Sequence, residues 1–149
     1  MKIINKNKEG LFNYQVLENF EAGVVLTGPE VKSVKSGQVS LKGSYIRLDK
    51  NNEAWLINCH ISPYQPAAGS VKNYEPTQPR KLLLKKRELL SLVGKSKQSG
   101  LTIIPTSVYT RKRLIKVGLA LAKGKREIDK RETIRKREAE RQIQRTLKR

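Results

Sequence analysis

The sequence predicts a mainly β fold with flanking helices: a small closed barrel of about six strands, OB-like, followed by a basic C-terminal tail. Three observations predict it. Apolar side chains alternate over several short stretches between residues 12 and 121, which is the period of a half-buried strand. Two segments break that alternation with helix signals, one around 28–37 and one from 85 to 97. From residue 123 the composition changes, with 12 basic and 5 acidic side chains in the last 27 positions, against 20 and 8 in residues 1–122. We therefore divide the 149 residues into a body, 1–122, which opens on an N-terminal arm at 1–10, and a tail, 123–149.

The elements follow in chain order. Residues 1–10 are polar, carry lysines and show no periodicity, so they are assigned to the arm. From Phe12 to Phe20, alternate residues (Phe12, Tyr14, Val16) share one face, and Glu21-Ala22-Gly23-Val24-Val25-Leu26 then turns and continues extended, with Gly23 as an expected bulge or bend. Thr27-Gly28-Pro29-Glu30 reads as a helix start. Proline suits the first helical position because its missing N–H would be unpaired there, and Glu30 sits at the positive end of the helix dipole. Val31 and Val34 give that helix an inward edge, and Gly37 ends it. Val39 to Leu48 and Glu53 to Ile61 alternate again around the turn cluster Asp49-Lys50-Asn51-Asn52, which predicts a hairpin. Four prolines between 62 and 79 mark a long surface loop. Lys81 to Leu84 is a short strand, and Lys85 to Lys97 a helix with Leu89, Leu90 and Val93 at helical spacing. Leu101–Tyr109 and Leu114–Leu121 form a last hairpin about a cationic turn, Thr110-Arg111-Lys112-Arg113. Closing so short a sheet on itself would remove its edges.

Several kinds of chemistry find no support. His60 is the only histidine, and no nucleophile–base–orienter set can be placed around it. Glu21 and Glu30 are the nearest thing to paired carboxylates. Gly94-Lys95-Ser96 lacks the upstream glycine of a phosphate-binding loop and reads as the end of a helix. With Cys59 the only cysteine, there is no intramolecular disulfide and no cysteine-cluster metal site. We expect no catalytic centre, no cofactor and no metal.

A formal charge of +19 calls for an anionic partner. No apolar run approaches the ~20 residues of a spanning helix, and Met1-Lys2-Ile3-Ile4-Asn5-Lys6 has no signal-peptide core, so we expect a cytoplasmic protein away from membranes. Basic residues gather at Lys2, Lys6 and Lys8, at Arg80 to Arg87, at the last hairpin with Lys116, and in the tail. Contacts from such clusters neutralise phosphates and release counterions. Most aromatic residues fall in strand patterns and suit a core, which favours reading a folded RNA by shape and backbone over stacking on single strands. The tail carries only a thin apolar stripe, Ala139, Ile143 and Leu147. It is expected to be disordered when free and helical when bound.

Specific blocks then carry a resemblance: Phe20-Glu21-Ala22-Gly23, Gly28-Pro29-Glu30-Val31-Lys32-Ser33, His60-Ile61-Ser62-Pro63-Tyr64, Arg80-Lys81-Leu82-Leu83-Leu84, Ala122-Lys123-Gly124-Lys125 and Asp129-Lys130-Arg131-Glu132. In this order and at these intervals the chain, from about Asn5 to its end, resembles the SsrA-binding protein family, also called small protein B. The resemblance implies a bacterial ribosome-rescue factor, a monomer with an OB-like barrel. It implies that the protein binds the tRNA-like domain of transfer-messenger RNA and accompanies it, with elongation factor Tu, to ribosomes stalled on truncated messages. It further implies that Asn7, Lys8, Tyr14, Glu21, Leu83 and Lys116 face the RNA. Lys123, Lys125, Arg126, Ile128, Asp129, Lys130 and Arg131 fall in the segment that faces the ribosome, where the tail becomes helical in the empty mRNA channel and decoding centre.

On pattern alone Leu83 suits the core. Glu21 either accepts hydrogen bonds from a base or a neighbouring lysine, or fixes a turn at Ala22-Gly23. Two positions depart from the family pattern. Ile128 stands where tyrosine or histidine is frequent, and Thr77-Gln78-Pro79-Arg80 has one basic residue fewer. Two other readings fit the composition: a ribosomal or assembly protein bound permanently to rRNA, and a general single-strand binder.

Overall fold

The structure, a computed structural model, describes residues 1–64, 73–125 and 135–142. The body is mainly β, as expected, with nine strands and three helices among its described residues. Seven strands form one antiparallel sheet in the order β1 (Lys2–Lys6), β8 (Leu101–Arg111), β9 (Leu114–Gly124), β2 (Tyr14–Val24), β7 (Arg80–Leu83), β5 (Ala54–Ile57), β4 (Tyr45–Leu48). The short strands β3 (Val39–Ser40) and β6 (His60–Ile61) pair separately. The expected closed barrel is corrected here: the sheet curls until β4 packs against β8, but the ladder does not close. Alternation identifies which side chains share a face; it does not identify which edges pair.

The arm is a second correction. Residues 2–6 pair with β8, and Asn7 caps helix α1 (Lys8–Asn13), which takes in Phe12. Gly10 permits that cap, since a Cβ there would meet Asn7 Nδ2 at 2.5 Å. The predicted strands 39–48 and 53–61 are each split in two, by a turn at Gly43 (φ +75°) and by Asn58 (φ 60°). β2 runs unbroken through Gly23; its register shift lies between Val16 and Glu18. Gly23 serves a close approach instead, since a Cβ there would stand 3.4 Å from Leu83 Cβ.

Helix α2 (Gly28–Lys35) forms where the sequence placed it. Thr27 Oγ1 accepts the Glu30 N–H, and Glu30 Oε1 accepts the Thr27 N–H, a reciprocal capping box. Gly37 ends the helix at φ +84°, its N–H bonding to Val34 O and that of Gln38 to Ser33 O. Helix α3 (Lys86–Ser96) buries Leu92 completely, while Leu90 stays exposed. Truncating a fully buried leucine to alanine costs about 2–5 kcal/mol. Ala22, Val34, Leu41, Leu56, Leu92, Val117 and Leu119 form the centre of the core.

One polar network crosses that core. Glu30 and Arg80 are both 2% exposed and 2.6 Å apart. Glu30 Oε2 accepts from Arg80 Nε (2.7 Å), Tyr74 Oη (3.0 Å) and Gln78 Nε2 (3.2 Å). Arg80 also donates to the carbonyls of Cys59 (2.6 Å) and Pro76 (2.9 Å). The network ties α2, the β5–β6 connection, the proline-rich loop and β7 to one point. Burial raises the Glu30 carboxyl pKa, but the Thr27 N–H, Arg80 and Gln78 outweigh it and hold the group below its ordinary value. Arg80, read from sequence as part of a basic RNA cluster, is therefore spent inside the protein. Among the described residues no buried side-chain polar atom lacks a partner.

Candidate nucleic-acid interface

The outer face of the sheet gathers three of the predicted RNA residues. Leu83 on β7 stands opposite Gly23 on β2, Gly23 opposite Lys116 on β9, and Lys116 opposite Tyr109 on β8. Directly opposed residues share a face, so this is one row across four strands. Gly23 leaves a gap in it between an apolar and a cationic side chain. Leu83 is 52% exposed, so the core position suggested by its pattern is corrected. The Leu82 side chain takes the core side instead, at 3%.

Glu21 lies two residues from Gly23 on the same face, opposite Gly118. The bare backbone of Gly118 makes room for two β8 hydroxyls, since a Cβ there would come within 2.7 Å of Thr106 Oγ1 and 3.0 Å of Ser107 Oγ; the Tyr109 ring edge lies at an ordinary contact distance of 3.6 Å. Tyr109 Oη donates to Glu21 Oε2 at 2.5 Å, and an Arg111 guanidinium N–H donates to the same oxygen at 3.1 Å. The Tyr109 hydrogen bond, then Arg111 and the charge of Lys116, hold the Glu21 carboxyl below its ordinary pKa. Burial first, and then the Glu21 carboxylate, push the Tyr109 hydroxyl up to about 12, so it stays a donor. Glu21 is thus an ionised, half-exposed acceptor set among cations. It fixes no turn, since β2 continues past it. Tyr109 is a candidate site residue that the sequence did not single out, and Arg111, which the sequence placed in the cationic hairpin turn, is brought to Glu21 beside it. Their signal was the alternation on β8 that places them beside each other.

The strand hairpin beside this face ends in a two-residue loop, Lys112-Arg113, between the paired residues Arg111 and Leu114. Arg113, Leu114 and Lys116 form one wall of a groove of 330 Å³ whose other side is Gly23, Leu26 and Leu83.

Asn7, Lys8 and Tyr14 lie elsewhere. Tyr14 and Gly23 are nine residues apart on β2, up to roughly 30 Å at about 3.3 Å per residue. Asn7 is buried and engaged at both ends of its amide: Nδ2 donates to Pro105 O at 2.7 Å, and Oδ1 accepts the Gly10 N–H at 3.0 Å. Lys8 is exposed and shares a 240 Å³ hollow with Lys6, Lys42 and Glu9. Tyr14 lines another, of 250 Å³, with Tyr45. The six residues therefore form two groups, one at each end of β2.

β9 extends to Gly124, with Lys123 exposed on it, and the Lys125 N–H bonds to Asn13 O at the end of α1 (3.0 Å). Arg126, Ile128, Asp129, Lys130 and Arg131 lie outside the described residues. Residues 135–142 are helical and exposed, and the Arg137 guanidinium stands 5.6 Å from the centroid of the Phe12 ring.

Among the described residues no group of His, Cys, Asp and Glu side chains is arranged to hold a metal ion, and no helix is long and apolar enough to cross a membrane. His60 is exposed; Cys59 is buried, and burial pushes its thiol up to about 11.

Comparison with known proteins shows the family. Residues 4–149 match the family model described as SmpB protein. The SsrA-binding protein of Trichodesmium erythraeum is 50% identical, the match covering 99% of this chain and 93% of that protein. Those of Nostoc punctiforme and Shouchella clausii are 49% and 46% identical over 99% of this chain. A solved structure described as "tmRNA-SmpB: a journey to the center of the bacterial ribosome" shares 43% identity at a TM-score of 0.66, covering 87% of this chain and 93% of that one. A match along nearly its whole length, with relatives at about half identity, means that the chain belongs to the SmpB, or SsrA-binding, protein family.

Proposed function

We propose that this protein is an RNA-binding ribosome-rescue factor of trans-translation. It binds the tRNA-like domain of transfer-messenger RNA and helps deliver it, with elongation factor Tu, to ribosomes stalled on truncated mRNA. The tail then occupies the empty mRNA channel and decoding centre. The observation that carries this reading is the outer row Leu83–Gly23–Lys116–Tyr109 with the ionised Glu21 beside it. It offers apolar contact, phosphate neutralisation and a base acceptor on one rigid sheet, and its chain is 43% identical to one solved under a transfer-messenger RNA heading. Such a face suits a structured RNA: phosphate contacts position it, and directional acceptors add selectivity.

The two groups of candidate residues then take different parts. Glu21, Leu83 and Lys116 contact the RNA on the outer face. Lys8 and Tyr14 contact it at the α1 end, and Asn7 holds the α1 turn that presents Lys8. In the tail, Lys123, Lys125, Arg126, Lys130 and Arg131 meet rRNA phosphates, with Ile128 packing where an aromatic ring would stack and Asp129 accepting hydrogen bonds. The protein acts as a cytoplasmic monomer, without catalysis, cofactor or metal of its own.

Purification of the tagged full chain from its host, followed by sequencing of the bound RNA, tests the reading. Transfer-messenger RNA is the expected species. Intact subunit rRNA alone would replace the proposal with a permanent rRNA-binding role. Truncation after Lys125, which keeps β9 and its bond to Asn13, should leave RNA binding nearly intact and abolish tagging of stalled chains.

A further inference from the structure

The β8–β9 hairpin tip is built against its own backbone preference. Lys112 and Arg113 both take positive φ, 48° and 69°. Two-residue hairpin loops of this kind favour Asn-Gly or Gly-Gly, because a Cβ crowds the left-handed region. The other positive-φ positions among the described residues obey that preference: they are Asn52, Asn58, Asn73, Gly37, Gly43 and Gly100. Among the described residues, only this tip places two long cations in left-handed conformation. A residue held in such a conformation at an exposed site points to a function for its side chain.

The surroundings identify what those side chains could meet. Arg113, Leu114 and Lys116 line the 330 Å³ groove together with Leu83. Leu114 and Leu83 are 60% and 52% exposed, which is unusual for two leucines so placed on one surface. Gly23, also in the lining, contributes no side chain. Among the described residues no aromatic ring lines it, so an inserted group would pack between leucines rather than stack. Lys112 and Arg111 stand exposed at the rim.

Resting on the proposed RNA-binding role, we infer that the Lys112-Arg113 tip and the Leu83–Leu114 groove form one subsite for a sharp bend in an RNA strand, the tip cations holding two successive phosphates while an unstacked base lies between the leucines. The left-handed turn is what aims both cations along the rim. A glycine-bearing turn would be easier to form but would leave the phosphates without partners.

The test uses the full chain, an in vitro transcript of the tRNA-like domain of transfer-messenger RNA, and three variants. The double variant Lys112→Asn/Arg113→Gly should keep or raise the thermal midpoint, because it relaxes the turn. Its affinity for the RNA should fall at least several-fold, and the slope of log affinity against log salt should become shallower by about one to two units, at roughly 0.9 per lost phosphate. Leu114→Ala should weaken binding a few-fold with the salt slope unchanged, since it removes packing and no charge. Lys116→Ala serves as the reference for the RNA-binding face as a whole. Normal affinity in the turn and Leu114 variants, with Lys116→Ala weakened, would overturn the subsite and leave the RNA-binding role standing. Normal affinity in all three would overturn both. A lowered thermal midpoint in the double variant would overturn the argument from turn strain.

Discussion

Glu30 and Glu21 are the same kind of side chain, nine positions apart, and the fold uses them in opposite ways. Glu30 is 2% exposed, with a buried guanidinium on one oxygen and a helix-cap N–H on the other. Glu21 is 35% exposed, with a tyrosine hydroxyl and a solvent-facing arginine on one oxygen and its second oxygen given no protein donor among the hydrogen bonds described. The first carboxylate has no capacity left for a partner molecule. The second has a free acceptor, already ionised and already positioned. What separates the structural charge from the proposed recognition charge is spare hydrogen-bonding capacity at an exposed edge, not charge or pKa direction, since both groups are held below their ordinary value.

The largest effect expected from this contrast is on stability. Arg80→Met should destabilise the fold by about 3–5 kcal/mol, because it strands a buried carboxylate among donors chosen for an ion pair. Arg80→Lys should recover little of that, since an ammonium cannot reach Glu30, Cys59 O and Pro76 O together. Chemical denaturation measures both. The RNA affinity of the remaining folded fraction should be unchanged, which would set Arg80 apart from the surface cations.

A smaller effect isolates the helix cap, where Thr27 Oγ1 accepts the Glu30 backbone N–H. Thr27→Ala removes half of the capping box and should cost about 1 kcal/mol, within the 0.5–2 kcal/mol of such caps. Acid titration sharpens the comparison further. A carboxyl whose folded pKa lies below its unfolded value stabilises the fold fully above the unfolded value, and that stability is lost as pH falls through the folded one. Starting from 4.5, the loss for Glu30 should set in below that pH and be steeper in the wild type than in Glu30→Gln, as followed by thermal midpoints between pH 5 and 2. The smallest stability change belongs to Glu21→Gln, which should stay within about 1 kcal/mol because the carboxyl is 35% exposed and its Arg111 partner 60%.

How much of this was legible in the sequence follows the same division. The α2 helix, the 49–52 turn and the last hairpin were readable because their signals are local: a proline and a glutamate at a helix start, an Asx-rich turn, a cationic tip. Residues 1–13 were not readable in the same way. β1 is a polar edge strand whose pairing with β8 lies about a hundred residues away, and the cap signal of Asn7 with Glu9 is short. Barrel closure was overestimated because alternation carries no information on edges. Arg80 was misplaced for a related reason. Its neighbours are lysines, and clustering counts charge while the Glu30 partner fifty residues earlier decides burial. The blocks that carried the family resemblance include three that meet at this network, those at Glu30, His60–Tyr64 and Arg80. The outer face was half visible: Glu21, Leu83 and Lys116 came from the resemblance, whereas Tyr109 and Arg111 needed the register of β8 against β9.

The central claim is that Glu21 belongs to a surface that selects RNA, and its sign can be measured. Replacing a carboxylate by its neutral isostere raises the net charge by one, so electrostatics alone predicts tighter binding of Glu21→Gln to any RNA. Titrating the full-length wild type and Glu21→Gln with the tRNA-like domain of transfer-messenger RNA, and with an unstructured RNA of equal length at matched salt, separates the two effects. We predict weaker binding to the tRNA-like domain and equal or slightly tighter binding to the unstructured RNA. Tighter binding to both, by the same factor, would show that Glu21 selects nothing and would contradict the account.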